Sequence, residues 1–408
     1  MNRKIVFKIP EFPHISETFL VAQIITAINL GYDIKIITRK IIYNNIYLIE
    51  EYELLDKIII EDYKIPKNKI VRVLKWVLLF IFNLKQIRFI ISYFKQQPAF
   101  SLTWLYQWVF YKQFSNLDII HIQYGTYKYP VDLLKKTGLF KPEIIVTFHG
   151  HDAFFPLYGY IENNGYYDDL FSSNVLITVN TNYLAEKVKA LGCNKNKLDI
   201  IPVAVNTSFF HPNNRIKKQE KLIKLITVGR LDKVKGHQYC IEVVNKLVKK
   251  GVNVILTIVG EGEERCNLNA LIKKHKLEDH VFLEGSKPPL GVREALWNHD
   301  VYLLLAVPVE FSRRETQGLA TLEAQACGLP VVVFDSGGIK YTVKDGVSGF
   351  VCKEFDVNDA ALKIELFNQN RALIKEMGEQ ATIFVNNNYA QNIIDQKWKH
   401  VYNEIINK

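Results

Sequence analysis

The chain has 408 residues, 48% of them apolar, and 52 basic against 42 acidic side chains give it a formal charge of +10. That length and apolar content suit two α/β domains, each with its own core. Five cysteines, at positions 193, 240, 266, 327 and 352, form no Cys-x-x-Cys pair. This suggests neither a disulfide framework nor a zinc site and fits a reducing cytosol. No nucleic-acid motif accompanies the positive charge, so nucleic acid is excluded as a partner.

Residues 4–9 read as a first strand with no apolar leader before it, residues 17–30 as a helix closed by Gly31, and 32–38 as a second strand, a βαβ opening. The loop over 11–18 lacks the glycines of a dinucleotide turn; Ser16 is its candidate helix cap. At the carboxyl end of the first strand, the loop is expected to face an interdomain cleft. In residues 64–95, Lys and Arg interleave with aromatic and aliphatic side chains, and the uninterrupted apolar core, 76–82, is far too short to span a bilayer. Two readings fit: amphipathic helices packed on the domain, or helices lying in the headgroup region of an anionic membrane.

Residues 118–124 and 143–148 read as buried strands, and the second runs into His149-Gly150-His151-Asp152. A histidine at the carboxyl end of a strand is well placed for chemistry, so His149 is a candidate site residue. His151, one step on, is expected to point away, and Asp152 to fix the loop. After a strand over 174–179, a helix over 182–191 and a short strand over 199–202, the polar run 211–221 separates two halves of matched composition.

The second half restarts with a strand over 222–228 followed by Gly229, Arg230, Lys235 and Gly236, a loop with two cations ahead of a helix N-terminus. A strand over 254–259 enters the tight turn Gly260-Glu261-Gly262, residues 280–284 precede the loop Gly285-Ser286-Lys287, and a strand follows over 300–305. In 310–334 a polar loop carries Glu315, Thr316 is placed to cap a helix over 319–327, Gly328 stops it, and 331–334 is a buried parallel strand. The helix entrance presents unpaired N–H groups and a positive dipole end, which attract a diphosphate. Gly318 lets a ligand approach; Glu315 is expected beside the phosphates and Glu323 about two turns further in. A last helix spans 391–406, with Trp398, Val401 and Tyr402 on its packing face.

The run Glu315, Gly318, Leu319, Glu323, Ala324, Ala326, Gly328, Pro330, Val331, Val332, followed by Gly337, Gly338 and the pair Gly346 and Gly349, resembles the C-terminal signature of the family 4 retaining glycosyltransferases. The loops at Gly229–Gly236, at 260–262 and at 149–152, and the crossing at 201–210 with Ala204 for a Gly and Asn206 for an Asp, are similar to further motifs of that family. The opening Phe12-Pro13, Ser16-Glu17-Thr18-Phe19 resembles its exopolysaccharide and colanic-acid-type members. The resemblance implies the α/β GT-B fold, two Rossmann-like domains facing across a deep cleft. Residues 1–205 with 388–408 would bind the acceptor, and 206–387 the nucleotide sugar.

It also implies an activity: transfer of a hexosyl unit from a nucleotide diphosphate sugar to a hydroxyl of a glycan or lipid-linked glycan. His149 and Glu315 would be catalytic, with Glu315 on the donor sugar. Arg230, Lys235, Gly318, Leu319 and Glu323 would bind the donor, Glu323 at the ribose. No two aspartates stand two positions apart, so the Asp-x-Asp metal motif is absent; no metal and no cofactor is expected. The expected location is cytoplasmic, peripheral at the cytoplasmic membrane face. One position departs from the pattern: Tyr341 stands where family members often carry the Glu of Gly-Gly-x-x-Glu. That departure lends weight to an alternative, a non-catalytic nucleotide-sugar-binding subunit of a polysaccharide assembly complex. A glycosidase using Glu315 and Glu323 is disfavoured, because eight helical residues rise about 12 Å and glycosidase carboxyls sit roughly 5 to 9.5 Å apart.

Overall fold

Short runs rich in Ile and Val can be buried on both faces of a parallel sheet, and the chain uses them that way. The computed structural model describes every residue except 1, 2, 14–17, 43–46, 98–100, 139, 214–220 and 408. The candidate cap Ser16 and most of the polar run 211–221 therefore lie outside the described residues. The chain divides into two units, Met1–Val179 with Ala185–Ile201 and Asp395–Lys408, and Asn180–Leu184 with Pro202–Ile394.

In the first unit, β1 (Lys4–Glu11), β2 (Asp33–Lys40), β3 (Ile58–Ile60), β4 (Ile119–Gln123), β5 (Glu143–Phe148), β6 (Val175–Val179) and β7 (Leu198–Ile200) lie in the order β3-β2-β1-β4-β5-β6-β7. Every pairing is parallel. The strand β3 and a helix over Thr103–Lys112 are additions to the elements read from sequence. The last helix, Gln391–Ile406, turns Ile394, Trp398, Val401, Tyr402 and Ile405 inward at helical spacing. Tyr402 stacks on Trp398, whose ring lies 5.1 Å from that of His121 on β4, and the Tyr402 hydroxyl sits 3.2 Å from His121 Nδ1. Burial pushes the His121 imidazole down to about 3, so it stays neutral and its second nitrogen bonds Thr147 Oγ1 at 2.7 Å.

In the second unit, β8 (Ile223–Val228), β9 (Val254–Val259), β10 (Val281–Gly285), β11 (Val301–Leu304), β12 (Val331–Phe334) and β13 (Gly349–Cys352) form a parallel sheet in the order β10-β9-β8-β11-β12-β13. Side chains alternate between its two faces. Leu225, Leu303, Val332 and Phe334 enter one apolar core, and Ile226, Tyr302, Leu304, Val331 and Val333 the other. Both units are thus Rossmann-like, as the fold expectation required.

Residues 64–95 form a bent helix pair. Lys69–Phe82 is capped by Asn68, whose side-chain oxygen accepts from the N–H of Ile70 and Val71, and Ile87–Lys95 is anchored by buried Ile90 and Tyr93. The first helix buries none of its side chains; Ile70 is 72% and Phe82 79% exposed. No single helix among the described residues is long and apolar enough to cross a membrane.

Candidate active site

Because every strand in each sheet is parallel, the loops that follow them collect at one edge, and ligands bind there where the strand order reverses. In the second unit that point lies between β8 and β11. The loop leaving β8 is folded by Asp232, whose side chain accepts from Val234 N at 3.0 Å, and Gly236 passes it to the helix His237–Lys249. Arg230 on this loop is exposed, and among the described residues its guanidinium meets no acceptor. Lys235 reaches across to the segment after β11, and its Nζ donates to Glu315 Oε2 at 2.6 Å.

The Glu315 segment is held on several sides within its own unit. Its backbone oxygen accepts from Gly338 N at 2.9 Å, and its Oε1 accepts from Gly318 N at 3.2 Å. Thr181 Oγ1 donates to the Thr316 carbonyl at 2.8 Å, while Gln317 bonds both backbone groups of Val203 at 2.9 Å. Gly338 packs so closely that a Cβ there would lie 1.6 Å from the Thr316 oxygen.

Two sequence expectations change here. Thr316 does not cap the helix: its hydroxyl accepts from Asn180 Nδ2, and Gly318, at φ +77°, is the cap residue of Leu319–Ala326. A left-handed turn and a close ligand approach are both open to glycine, which is why it fits this entrance. Glu323 lies four residues into that helix, about 6 Å and one turn rather than two. The eight-residue helical spacing that weighed against a glycosidase is therefore not present.

The two acids are shifted in opposite directions. Burial would raise the Glu315 carboxyl, but Lys235 and the N–H groups of Gly318 and Gln317 outweigh it and keep it below its ordinary range. Glu323 is lifted by burial to about 7, with only distant relief from Lys235. Leu319, the first residue of the helix, packs beneath against the core. At the departed position, Tyr341 carries no acid, and its backbone oxygen accepts from Tyr389 Oη at 2.6 Å.

In the first unit, His149 leaves the end of β5 with its Nε2 2.8 Å from Gln123 Oε1, and Gln123 Nε2 donates to Gln23 Oε1 at 2.9 Å. Burial lowers the His149 imidazole to about 3, with a smaller push from His151, so it is neutral. Buried Asp152 accepts from the N–H groups of His149, Gly150 and Gly125 at 3.1, 2.9 and 2.8 Å, which fixes the turn. His151 is exposed, and its ring packs 4.9 Å from Tyr124, the same ring that lies 4.7 Å from His149. Sequence reasoning passed over Gln123. A glutamine ending the buried run IIHIQ was the available signal, since a buried amide needs a partner.

Residues 210–384 match the model of the family described as glycosyl transferases, group 1. The chain carries a group 1 glycosyltransferase domain. The chain is 26% identical over 378 residues to the amylovoran biosynthesis glycosyltransferase AmsK of Erwinia amylovora, covering 90% of the chain and 91% of AmsK. It is 29% identical over 255 residues to the putative colanic acid biosynthesis glycosyltransferase WcaL of Escherichia coli K12, spanning 62% of each. The crystal structure of Anabaena HepE in complex with UDP superposes with a TM-score of 0.71 at 12% identity, over 98% of this chain and 100% of HepE. That likeness establishes the GT-B type of fold.

Gly338→Ala should force the 315–316 segment to move and cost about 1–3 kcal/mol of stability. Gly291→Ala, in the helix Pro289–Trp297 with its nearest neighbour 3.4 Å away, should be neutral or stabilising. Urea denaturation of both variants checks the contrast.

Proposed function

We propose that this glycosyltransferase is a retaining, metal-independent family 4 enzyme. It moves a hexosyl unit from a nucleotide diphosphate sugar to a hydroxyl of a growing or lipid-linked glycan in polysaccharide biosynthesis. The observation that carries the reading is the Lys235–Glu315 contact at the mouth of the Gly318 helix, with Arg230 exposed on the adjoining loop. A diphosphate needs cations and N–H donors, and this entrance supplies both. Arg230 and Lys235 stabilise the charge that gathers on the leaving phosphate as the glycosidic bond breaks, the task a divalent ion performs elsewhere. Glu315, ionised and held by its loop, takes the hydroxyls of the donor sugar, and Glu323 those of the ribose. Gly318 and Leu319 open the helix toward the phosphates. In this reading the second unit binds the donor and the first the acceptor, with His149 on the acceptor side.

The names of AmsK and WcaL support a role in polysaccharide synthesis. HepE, alike in fold, binds UDP, so UDP-hexoses are the first donors to test. In a thermal-shift panel of UDP, GDP, ADP and CDP, one nucleotide at 100 times its dissociation constant should stabilise by about 2.7 kcal/mol. Since ribose hydroxyls donate to a carboxylate, that affinity should rise as pH climbs through about 7 and Glu323 loses its proton. In Glu323→Gln it should be weaker and flat between pH 6 and 8.

Turnover with the winning nucleotide sugar should persist in EDTA and keep the anomeric configuration, both read by proton NMR. Lys235→Met should lower kcat about 100-fold or more. Loss of turnover in EDTA, restored only by magnesium or manganese, would defeat the metal-independent reading.

We also propose that the enzyme works in the cytoplasm, at the inner face of an anionic membrane. The exposed apolar side chains of Lys69–Phe82, interleaved with Arg72 and Lys75 and flanked by Lys64, Lys67, Lys85 and Arg88, support this. Each basic residue near such a surface contributes about 1 kcal/mol. The protein should float with liposomes containing phosphatidylglycerol, not with pure phosphatidylcholine, and Ile70→Glu with Phe82→Glu should abolish flotation.

A further inference from the structure

At the carboxyl edge of the first sheet, on the strands around its own point of reversal between β1 and β4, four buried side chains and the half-buried Tyr63 support one exposed one. Glu61, fully covered just beyond β3, accepts hydrogen bonds from the hydroxyls of Tyr63 at 2.7 Å, Tyr111 and Tyr127. Lys8 of β1 lies 4.0 Å from the same carboxylate, donates to the carbonyls of Tyr127 and Tyr129 at 2.7 and 2.9 Å, and sits 3.4 Å over the Tyr127 ring. The outermost member is Arg39 at the end of β2. Its Nε meets Glu61 Oε2 at 3.2 Å and its guanidinium carbon lies 4.7 Å from the Tyr127 ring centre.

Neutralising Glu61 does not account for this arrangement. Three hydroxyls and one N–H already occupy the four acceptor positions of the carboxylate. Arg39 gives it a single nitrogen, whereas Arg314 in the same chain meets Glu354 with two, at 3.2 and 3.0 Å. Among the described residues no acceptor meets the two terminal nitrogens of Arg39, whose side chain is 59% exposed. One edge is tethered and one face is stacked, so the free fork is held ready instead of swinging in solvent. A guanidinium presented this way matches two oxygens of one anion. The adjacent Lys40, bound to Glu11 only at 3.9 Å, adds positive charge.

We propose that the outer edge of Arg39 is a binding site for an acidic group of the acceptor, a carboxylate or a phosphate, gripped by both terminal nitrogens. The inference rests on reading the first unit as the acceptor half of the enzyme, and it narrows the acceptor to an anionic glycan. A uronic acid and a phosphate-bearing glycan share this chemistry.

Isothermal titration of the full chain, with UDP at saturation, separates the cases using four probes: methyl β-D-glucuronide, glucose 1-phosphate, inorganic phosphate and neutral methyl β-D-glucoside. The glucuronide or the phosphates should bind at least tenfold tighter than the glucoside, and whichever binds names the source of the charge. Arg39→Gln should weaken that probe about tenfold or more while leaving UDP binding and the glucoside unchanged. Arg39→Lys, which keeps a cation beside Glu61 but loses the fork, should weaken it several-fold, and it carries the comparison if Arg39→Gln does not fold. Equal binding of charged and neutral probes, no binding of any anionic probe, or an unchanged dissociation constant in both variants overturns the proposal. A chain that does not bind UDP counts against the donor reading alone, and the Arg39 comparison is then made without nucleotide.

Discussion

The contact between Lys235 and Glu315 brings an acid and a base from loops after different strands to 2.6 Å of each other. Both are partly covered, so removing either partner leaves the other with an uncompensated charge in a site of reduced polarity. The energy of such a pair is modest, and its importance is positional. It requires the Glu315 loop to lie within reach of the Lys235 loop, which follows from Gly338 admitting the 315–316 backbone and from Thr181 and Val203 gripping it from the other side. The same pair explains why two glutamates of one segment shift in opposite directions: Glu315 has a cation and N–H donors beside it, and Glu323 has burial with little relief.

A similar division of labour recurs in the first unit. His149 is oriented from behind by Gln123, itself bonded to Gln23, and Arg39 is oriented by Glu61 with its three tyrosines. In each case buried polar groups are bonded to one another, with Gln23 Nε2 left over in the first, so most of the cost of burying them is offset locally and the outer residue inherits a fixed direction. This is how a sheet edge assembled from flexible loops can still present defined side chains.

How much of this could be read from the sequence depended on the range of the interaction. The strands at 143–148, 254–259 and 331–334 were legible because a β-branched run interrupted by no more than a threonine, with glycine or a charged residue at its end, has few alternatives. So was the last helix, whose apolar residues keep a clean helical spacing. Thr103–Lys112 was not legible: it buries Trp104, Leu105, Tyr106, Gln107, Trp108 and Tyr111 on most sides, leaving no stripe to detect. The cap of the helix at 319 was misread because Thr316 is a good local cap, and its engagement with Asn180, more than 130 residues away, overrides that preference. The cluster around Glu61 gathers side chains from positions 8, 39, 61, 63, 111 and 127, and only the fold brings them together.

The helix Gln391–Ile406 begins in one unit and finishes as part of the core of the other. The two halves are therefore unequal under dissection. A fragment carrying 202–394 retains every strand of its sheet and both apolar layers around it. A fragment ending at 201 loses Trp398 and Tyr402, opens a slot over His121, and exposes an imidazole that the intact chain keeps dry; it needs its own distant tail, supplied in trans or fused on, to close.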